Sequence, residues 1–143
     1  MPVYEPLNLI FGDILHSGRA AQLETQWRLA RERARPLGGI PDVGSTSTSY
    51  GDVPGVVVVR IVESATAKLY AMGFVSGGTG YMRLWNMSTG ALVAGSEVSF
   101  TSATPTLQVS GDLELPAGDY KLEVKISAAP NHVVVYGASL VTQ

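Results

Sequence analysis

The chain changes its pattern of hydrophobic and polar residues near residue 50. Beyond that point, short apolar runs are separated by turn-forming residues, and residues 120–126 (YKLEVKI) alternate strictly between apolar and charged. Such period-two alternation is typical of a strand with one buried face. The predicted strands are 56–62, 67–75, 81–87, 97–101, 106–109, 113–115, 120–126 and 133–140. Seven or eight short strands at roughly even spacing predict a mainly β fold, an antiparallel β-sandwich or jelly roll over residues 51–143.

Before residue 50 the pattern is helical over residues 18–35. Ser17 is a candidate N-cap, and Pro36 provides a stop signal. One narrow apolar stripe runs along this helix: Ala20, Leu23, Trp27, Ala30 and Ala34. A single helix of this length is marginal in water, so the stripe needs a covering surface. That surface is a bundle of neighbouring copies, a groove on a partner, or the protein's own β-domain.

The residues ahead of the helix form a predicted arm that is too apolar for a free tail. The arm lies either on its own domain or on a neighbouring copy, and we favour the neighbour. Residues 36–52 are rich in Gly, Pro, Ser and Thr and are predicted to be a linker. The predicted division is 1–50 (arm, helix and linker) and 51–143 (β-sandwich). The predicted interface residues are Leu9, Phe11, Ile14, Leu23, Trp27, Ala30 and Ala34.

Composition narrows the class of protein. The 143 residues include no cysteine, so neither a disulfide framework nor a thiolate zinc site is available. A net charge of −2 makes nucleic acid an unlikely partner, although five arginines lie before residue 36. The longest aliphatic stretch, Val56 to Val59, is far shorter than a membrane-spanning helix, and the first residues lack the basic start of a secretory signal.

Candidate chemistry is sparse. His16 and His132 lie far apart in sequence without motif partners, and the run from Gly77 to Gly80 lacks the Lys-Ser/Thr ending of a phosphate loop. Three acidic residues near residue 115 could offer oxygens to calcium, but ion pairing is the preferred interpretation: Asp112, Glu114 and Asp119. We therefore expect no enzyme activity, no metal and no cofactor.

One strand carries a possible sugar-binding surface. Tyr81 and Trp85 share a face of the predicted strand 81–87 with Arg83 and Met87, while Met82 and Leu84 are on the other face. If the aromatic face is exposed, it could stack against sugar rings. Because both faces are apolar enough to be core, the sequence leaves open which one faces solvent.

The turn and strand patterns of residues 56–143 resemble a known group of proteins. The resemblance rests on Lys68–Tyr70, Tyr81–Asn86, Thr89-Gly90, Gly95-Ser96-Glu97, the turn Leu115–Tyr120, and Val135–Leu140. These patterns resemble the small jelly-roll domains of tailed-phage virion proteins, including head decoration (cement) proteins and fibre knobs. The resemblance implies assembly and stabilisation, often as a trimer, without an active site.

The sequence therefore predicts a non-enzymatic phage virion structural protein, a capsid decoration or cement protein. Its arm and helix would cover apolar surface on other copies of itself, on the major capsid protein or on another virion protein. It would assemble in the host cytoplasm and reside in the virion. The alternative is a carbohydrate-binding or host-recognition module, such as a fibre knob, that uses Tyr81 and Trp85.

Overall fold

The computed structural model describes residues 34–39 and 44–143. These residues form two six-stranded antiparallel sheets. The strands are β1 (Ala34–Gly38), β2 (Gly44–Ser45), β3 (Gly51–Asp52), β4 (Val59–Ile61), β5 (Ala65–Val75), β6 (Gly80–Asn86), β7 (Ala91–Leu92), β8 (Val98–Phe100), β9 (Thr106–Val109), β10 (Leu113–Leu115), β11 (Gly118–Ile126) and β12 (Val133–Thr142).

Each sheet is built around two long central strands. In sheet A the order is β1-β12-β5-β10, with β2 also paired to β12 and β9 also paired to β5. In sheet B the order is β3-β11-β6-β7, with β4 also paired to β11 and β8 also paired to β6. Every edge is therefore shared by two short strands that pair in turn with one long strand.

The core lies between the sheets, as period-two alternation requires. Along β11 the apolar side chains of residues 120, 122, 124 and 126 are fully buried, whereas the charged ones between them are half-buried on the opposite face. Leu69 and Leu140 of sheet A belong to the same buried cluster. Full burial of such a side chain stabilises the fold by about 1.5–3 kcal/mol. Burial of these side chains therefore holds the two sheets together. The prediction of a mainly β sandwich is confirmed.

Two buried serines bridge the gaps in the shared edges. Between β7 and β8, the Ser96 hydroxyl accepts a hydrogen bond from the Leu84 amide at 3.0 Å. Between β9 and β10, the Ser110 hydroxyl accepts one from the Leu69 amide at 2.9 Å. In both sheets a side chain thus satisfies a buried backbone donor that the interrupted edge strand leaves without a strand partner.

The predicted helix 18–35 is corrected at its end. Ala34 and Arg35 lie in β1, where Ala34 is opposite Val141 and Arg35 opposite Leu140 of β12. The backbone of Ala34 and Arg35 pairs with β12, and this sheet pairing outweighs the helical spacing of their side chains. Pro36 also could not lie in the interior of a helix. Residues 18–33 and the arm lie outside the described residues, so their predictions stay predictions.

The strand count and one strand boundary also differ from expectation. The described residues form twelve strands where seven or eight were predicted, because β1 and three very short strands were not foreseen: β2, β3 and β7. They owe their structure to pairing with long neighbours and have no alternation of their own. The predicted strand 56–62 is reduced to β4, and Val56–Val58 ahead of it are exposed. No helix that could span a bilayer occurs in the described part of the chain.

Candidate functional site

The outer face of sheet B carries an aromatic and charged surface. Met82 and Leu84 of β6 are fully buried, so the side chains that alternate with them point away from the core. These are Tyr81, Arg83 and Trp85, each half-buried. The question that the sequence left open is thereby answered: the face with Tyr81 and Trp85 is the outer one.

Cross-strand register sets a charged residue of β11 opposite each of these side chains. Lys121 lies opposite Trp85, Glu123 opposite Arg83, and Lys125 opposite Tyr81. Directly opposed residues of an antiparallel pair are close enough to interact. The Arg83 guanidinium accordingly pairs with the Glu123 carboxylate at 2.8 Å, with only 21% and 13% of the two side chains exposed.

Tyr50 comes from the segment ahead of β3 and lies over the middle of this face. The Arg83 guanidinium carbon is 3.8 Å from the centre of the Tyr50 ring and 5.1 Å from that of Trp85. The Tyr50 hydroxyl donates a hydrogen bond to the Glu97 carboxylate, which anchors the far end of the ring. We call Tyr50, Tyr81, Arg83, Trp85 and Lys125 the aromatic face.

Lys125 joins two of the rings. Its Nζ atom lies 4.6 Å from the centre of the Tyr50 ring and 5.2 Å from that of Tyr81. Among the described residues, no carboxylate lies within ion-pair distance of Lys125, whereas Lys121 is paired with Asp52. Cation–π contact holds this ammonium group in place and leaves its charge available to an anionic group.

Tyr50 is a hydrogen-bond donor over a wide pH range. Burial raises the pKa of the Tyr50 phenol above its ordinary value, and the hydrogen bond to Glu97 raises it further. The phenol therefore stays protonated at neutral pH and keeps its bond to the Glu97 carboxylate. The aromatic face is consequently a fixed arrangement of rings and charges.

The other candidates from sequence do not converge. Asp112 lies 3.5 Å from Lys68, Glu114 accepts a hydrogen bond from Thr66, and Asp119 pairs with Arg60 at 2.8 Å. Within residues 34–39 and 44–143 no three acidic or histidine side chains are grouped to hold a metal ion. His132 lies directly ahead of β12, with its ring edge-on to Phe74.

The predicted interface residues are only partly located. Ala34 lies in β1 rather than on a helical stripe, so that part of the prediction is corrected. The other six lie outside the described residues: Leu9, Phe11, Ile14, Leu23, Trp27 and Ala30. Their contact role stays a prediction.

Alternation along the predicted strand 81–87 placed Arg83 on the same face as Tyr81 and Trp85, but sequence reasoning missed Tyr50 and Lys125. Tyr50 falls in the predicted linker, and no local pattern connects it to a strand more than thirty residues later. Arg83 and Lys125 were visible as polar residues of two predicted strands. That Arg83 stands opposite Glu123, and Lys125 opposite Tyr81, depends on the register between β6 and β11. An alternating strand identifies which residues share a face, not which strand lies beside it.

Comparisons with known proteins give a likeness of fold. No protein-family profile matches the chain, and no curated protein is similar in sequence. Among solved structures, the carbohydrate-binding module CBM36 in complex with calcium and xylotriose is 17% identical, with a TM-score of 0.45, covering 75% of this chain and 98% of that one. A carbohydrate-binding module from Cellvibrio mixtus lichenase 5A in complex with cellotriose is 13% identical, with a TM-score of 0.47, covering 80% and 94%. The likeness lies in the β-sandwich, and these ligands belong to those proteins.

Proposed function

We propose that this protein is a non-catalytic carbohydrate-binding module and that its site is the aromatic face of sheet B. The observation that carries the proposal is the placement of Tyr50, Tyr81 and Trp85 on one solvent-facing surface. Sugar rings present C–H groups that pack on aromatic rings, and polar groups beside the rings orient the hydroxyls. The aromatic face combines both.

The charges on this face favour a particular class of glycan. Arg83 and Lys121 are paired with carboxylates, whereas the Lys125 ammonium group lies beside two aromatic rings and has no carboxylate partner among the described residues. A glycan bearing a carboxylate or sulfate group would supply the missing anion and form a charge-assisted hydrogen bond with Lys125. The ligand class is therefore an acidic oligosaccharide.

The test starts with a glycan array probed with the full-length chain, followed by titration calorimetry on the hits. Replacing Tyr81→Ala removes one ring of the face, and we expect at least a tenfold loss of affinity, about 1.4 kcal/mol. Tyr70→Ala removes a half-buried tyrosine from the outer face of sheet A and is the matched control. Equal affinities for the two variants, or an array without hits, would refute the proposal.

Fluorescence gives an independent readout of the same site. The chain has two tryptophans, Trp27 and Trp85, so the variant Trp27→Phe makes emission specific to Trp85. Binding of an acidic oligosaccharide is expected to change this emission in a saturable way, and Lys125→Gln is expected to weaken binding of acidic glycans more than of neutral ones. The same loss for both glycan types would contradict the role of Lys125.

A second candidate is the phage virion structural protein expected from the sequence, and one observation favours it. Val56, Val57, Val58 and Val62 flank the edge strand β4 with exposed fractions of 36%, 44%, 50% and 75%. Exposed apolar residues beside a sheet edge are typical of contacts between chains. Val58→Glu with Val62→Glu should then dissociate a trimer measured by light scattering, and an unchanged mass or a monomeric parent would count against this candidate.

A further inference from the structure

The outer face of sheet A contains an apolar groove of about 550 Å³. One wall follows from register, because Met72 of β5 lies opposite Leu107 of β9. Their side chains are 44% and 56% exposed, and Val57 on the other side of the groove is 44% exposed. None of the described residues that line the groove is charged. A contiguous apolar surface of this kind needs a covering partner.

The floor of the groove is backbone. Gly39 approaches β12 so closely that a Cβ atom there would stand 2.8 Å from the Gly137 backbone, and its φ of +126° suits only glycine. Above Gly137 itself a Cβ atom would meet none of the described residues within 4 Å. The groove is therefore open toward solvent and shallow at its floor, a shape that admits a peptide segment with protruding apolar side chains.

The chain itself contains a matching segment. Residues 7–15 (LNLIFGDIL) carry six large apolar side chains and a single charge, that of Asp13. The groove's uncharged lining suits such a segment, because burying it would leave only one carboxylate to be kept at the solvent side.

The tether between segment and groove is long enough. Pro36 and Gly38 of β1 line the groove, and β1 begins at Ala34. The 18 residues 16–33 between the segment and β1 can span up to roughly 60 Å when extended, and about 30 Å when residues 18–33 form the predicted helix. A tethered segment has an effective concentration near the millimolar range, far above that of other copies in dilute solution.

We propose that residues 7–15 dock into the sheet A groove of their own chain, in place of the neighbouring copy that the sequence alone favoured. The proposal is independent of the carbohydrate-binding function, since the groove and the aromatic face lie on opposite sheets. Docking would remove from solvent the apolar side chains on both sides, those of the segment and those of the groove wall.

Disulfide trapping in the full-length chain tests this directly, because the natural protein has no cysteine. In the double variant Asn8→Cys with Ser139→Cys, one thiol lies in the segment and the other in the groove lining. The control pair, Asn8→Cys with Ser99→Cys, places the second thiol on the exposed outer face of sheet B. At about 1 µM protein, we expect the groove pair to form an intramolecular disulfide at least ten times faster, measured by peptide mass mapping without reductant.

Filling the groove is the complementary test. Gly137→Leu projects a side chain into the open space above the floor, whereas Gly111→Leu adds the same side chain at another open position, on a loop. The rate of disulfide trapping is divided by the rate at which the thiol at position 139 reacts with a small reagent, which corrects for the accessibility of that thiol. This ratio should fall at least tenfold in Gly137→Leu and stay unchanged in Gly111→Leu. Circular dichroism confirms that each variant is folded. Equal trapping in the two cysteine pairs, or disulfides that join only different chains, would overturn the proposal.

Discussion

The buried hydroxyl of Ser96 supports the strand that carries the aromatic face, so its removal should have a measurable cost. Ser96 is fully buried, and its Oγ atom accepts the Leu84 amide at 3.0 Å. Leu84 lies between Arg83 and Trp85 in β6. In Ser96→Ala this amide loses that partner, while the Leu84 carbonyl still accepts a hydrogen bond from the Val93 amide at 3.0 Å.

The expected magnitude follows from one buried donor left unsatisfied. Such a group costs about 1–3 kcal/mol, because water cannot reach it. We expect Ser96→Ala to lower the free energy of unfolding by about 2 kcal/mol. For a domain of this size, each kcal/mol lowers the Tm by about 3–5 °C, which gives a decrease of about 8 °C.

Urea unfolding followed by circular dichroism measures this loss, with equal m-values as a check on two-state behaviour. Ser99→Ala, three residues later and exposed on β8, is the matched control and should cost less than about 0.5 kcal/mol. Ser110→Ala should resemble Ser96→Ala, because Ser110 holds the Leu69 amide of sheet A in the same way. If Ser96→Ala were no more destabilising than Ser99→Ala, the assigned role of the serine would be wrong.

Three further predictions concern packing and ionisation. Gly80→Ala would place a Cβ atom 2.6 Å from a core valine, so it should lower the free energy of unfolding in urea by about 1–3 kcal/mol. Gly111→Ala adds its methyl group in open space and should leave the stability unchanged. Equal losses of stability in the two variants would contradict the close packing at Gly80. The pKa of Tyr50 is raised in the folded state, so its contribution to stability is complete below the ordinary phenol pKa of about 10 and is lost as the pH rises above that value. The difference in ultraviolet absorbance between wild type and Tyr50→Phe should therefore show no titration near pH 10. A titration midpoint near pH 10 would refute the raised pKa. The pKa of Asp119 is lowered chiefly by its hydrogen bond from Arg60, so its contribution to stability is present above about pH 4 and is lost as the pH falls through the lowered pKa. Carboxyl NMR should find a lower pKa for Asp119 in the wild type than in Arg60→Gln. Identical pKa values in the two proteins would contradict the ion pair.

Much of the fold could be predicted from local pattern. Strands β9 and β10 have the predicted bounds, and β11 differs only by two additional residues at its start. Alternation works in β10 and β11 because each of them buries its apolar face, so a shift by one residue would expose the whole apolar set. In β9 neither face is buried, and the apolar residues Leu107 and Val109 are exposed. The same pattern indicated that Tyr81 and Trp85 share a face.

The N-terminal part of the sandwich was beyond such reasoning. Residues 34–38 (ARPLG) contain both Pro and Gly and lack alternation, yet they form β1 against the long strand β12. Their structure comes from unpaired backbone groups on a neighbouring strand, a property of the partner rather than of the segment. The helical spacing of residues 18–35 carried no information about that partner.

The sequence by itself determined which residues lie together along one strand, since side chains alternate with a period of two in any strand. Only the tertiary structure decided which face of β6 meets solvent, that Lys125 stands opposite Tyr81, and that Tyr50 reaches across to Arg83 and Glu97. These relations join residues up to 47 positions apart. The physical reason is that strand order and register depend on how the side chains of the whole core pack together, and a local pattern in the sequence carries no information about that packing.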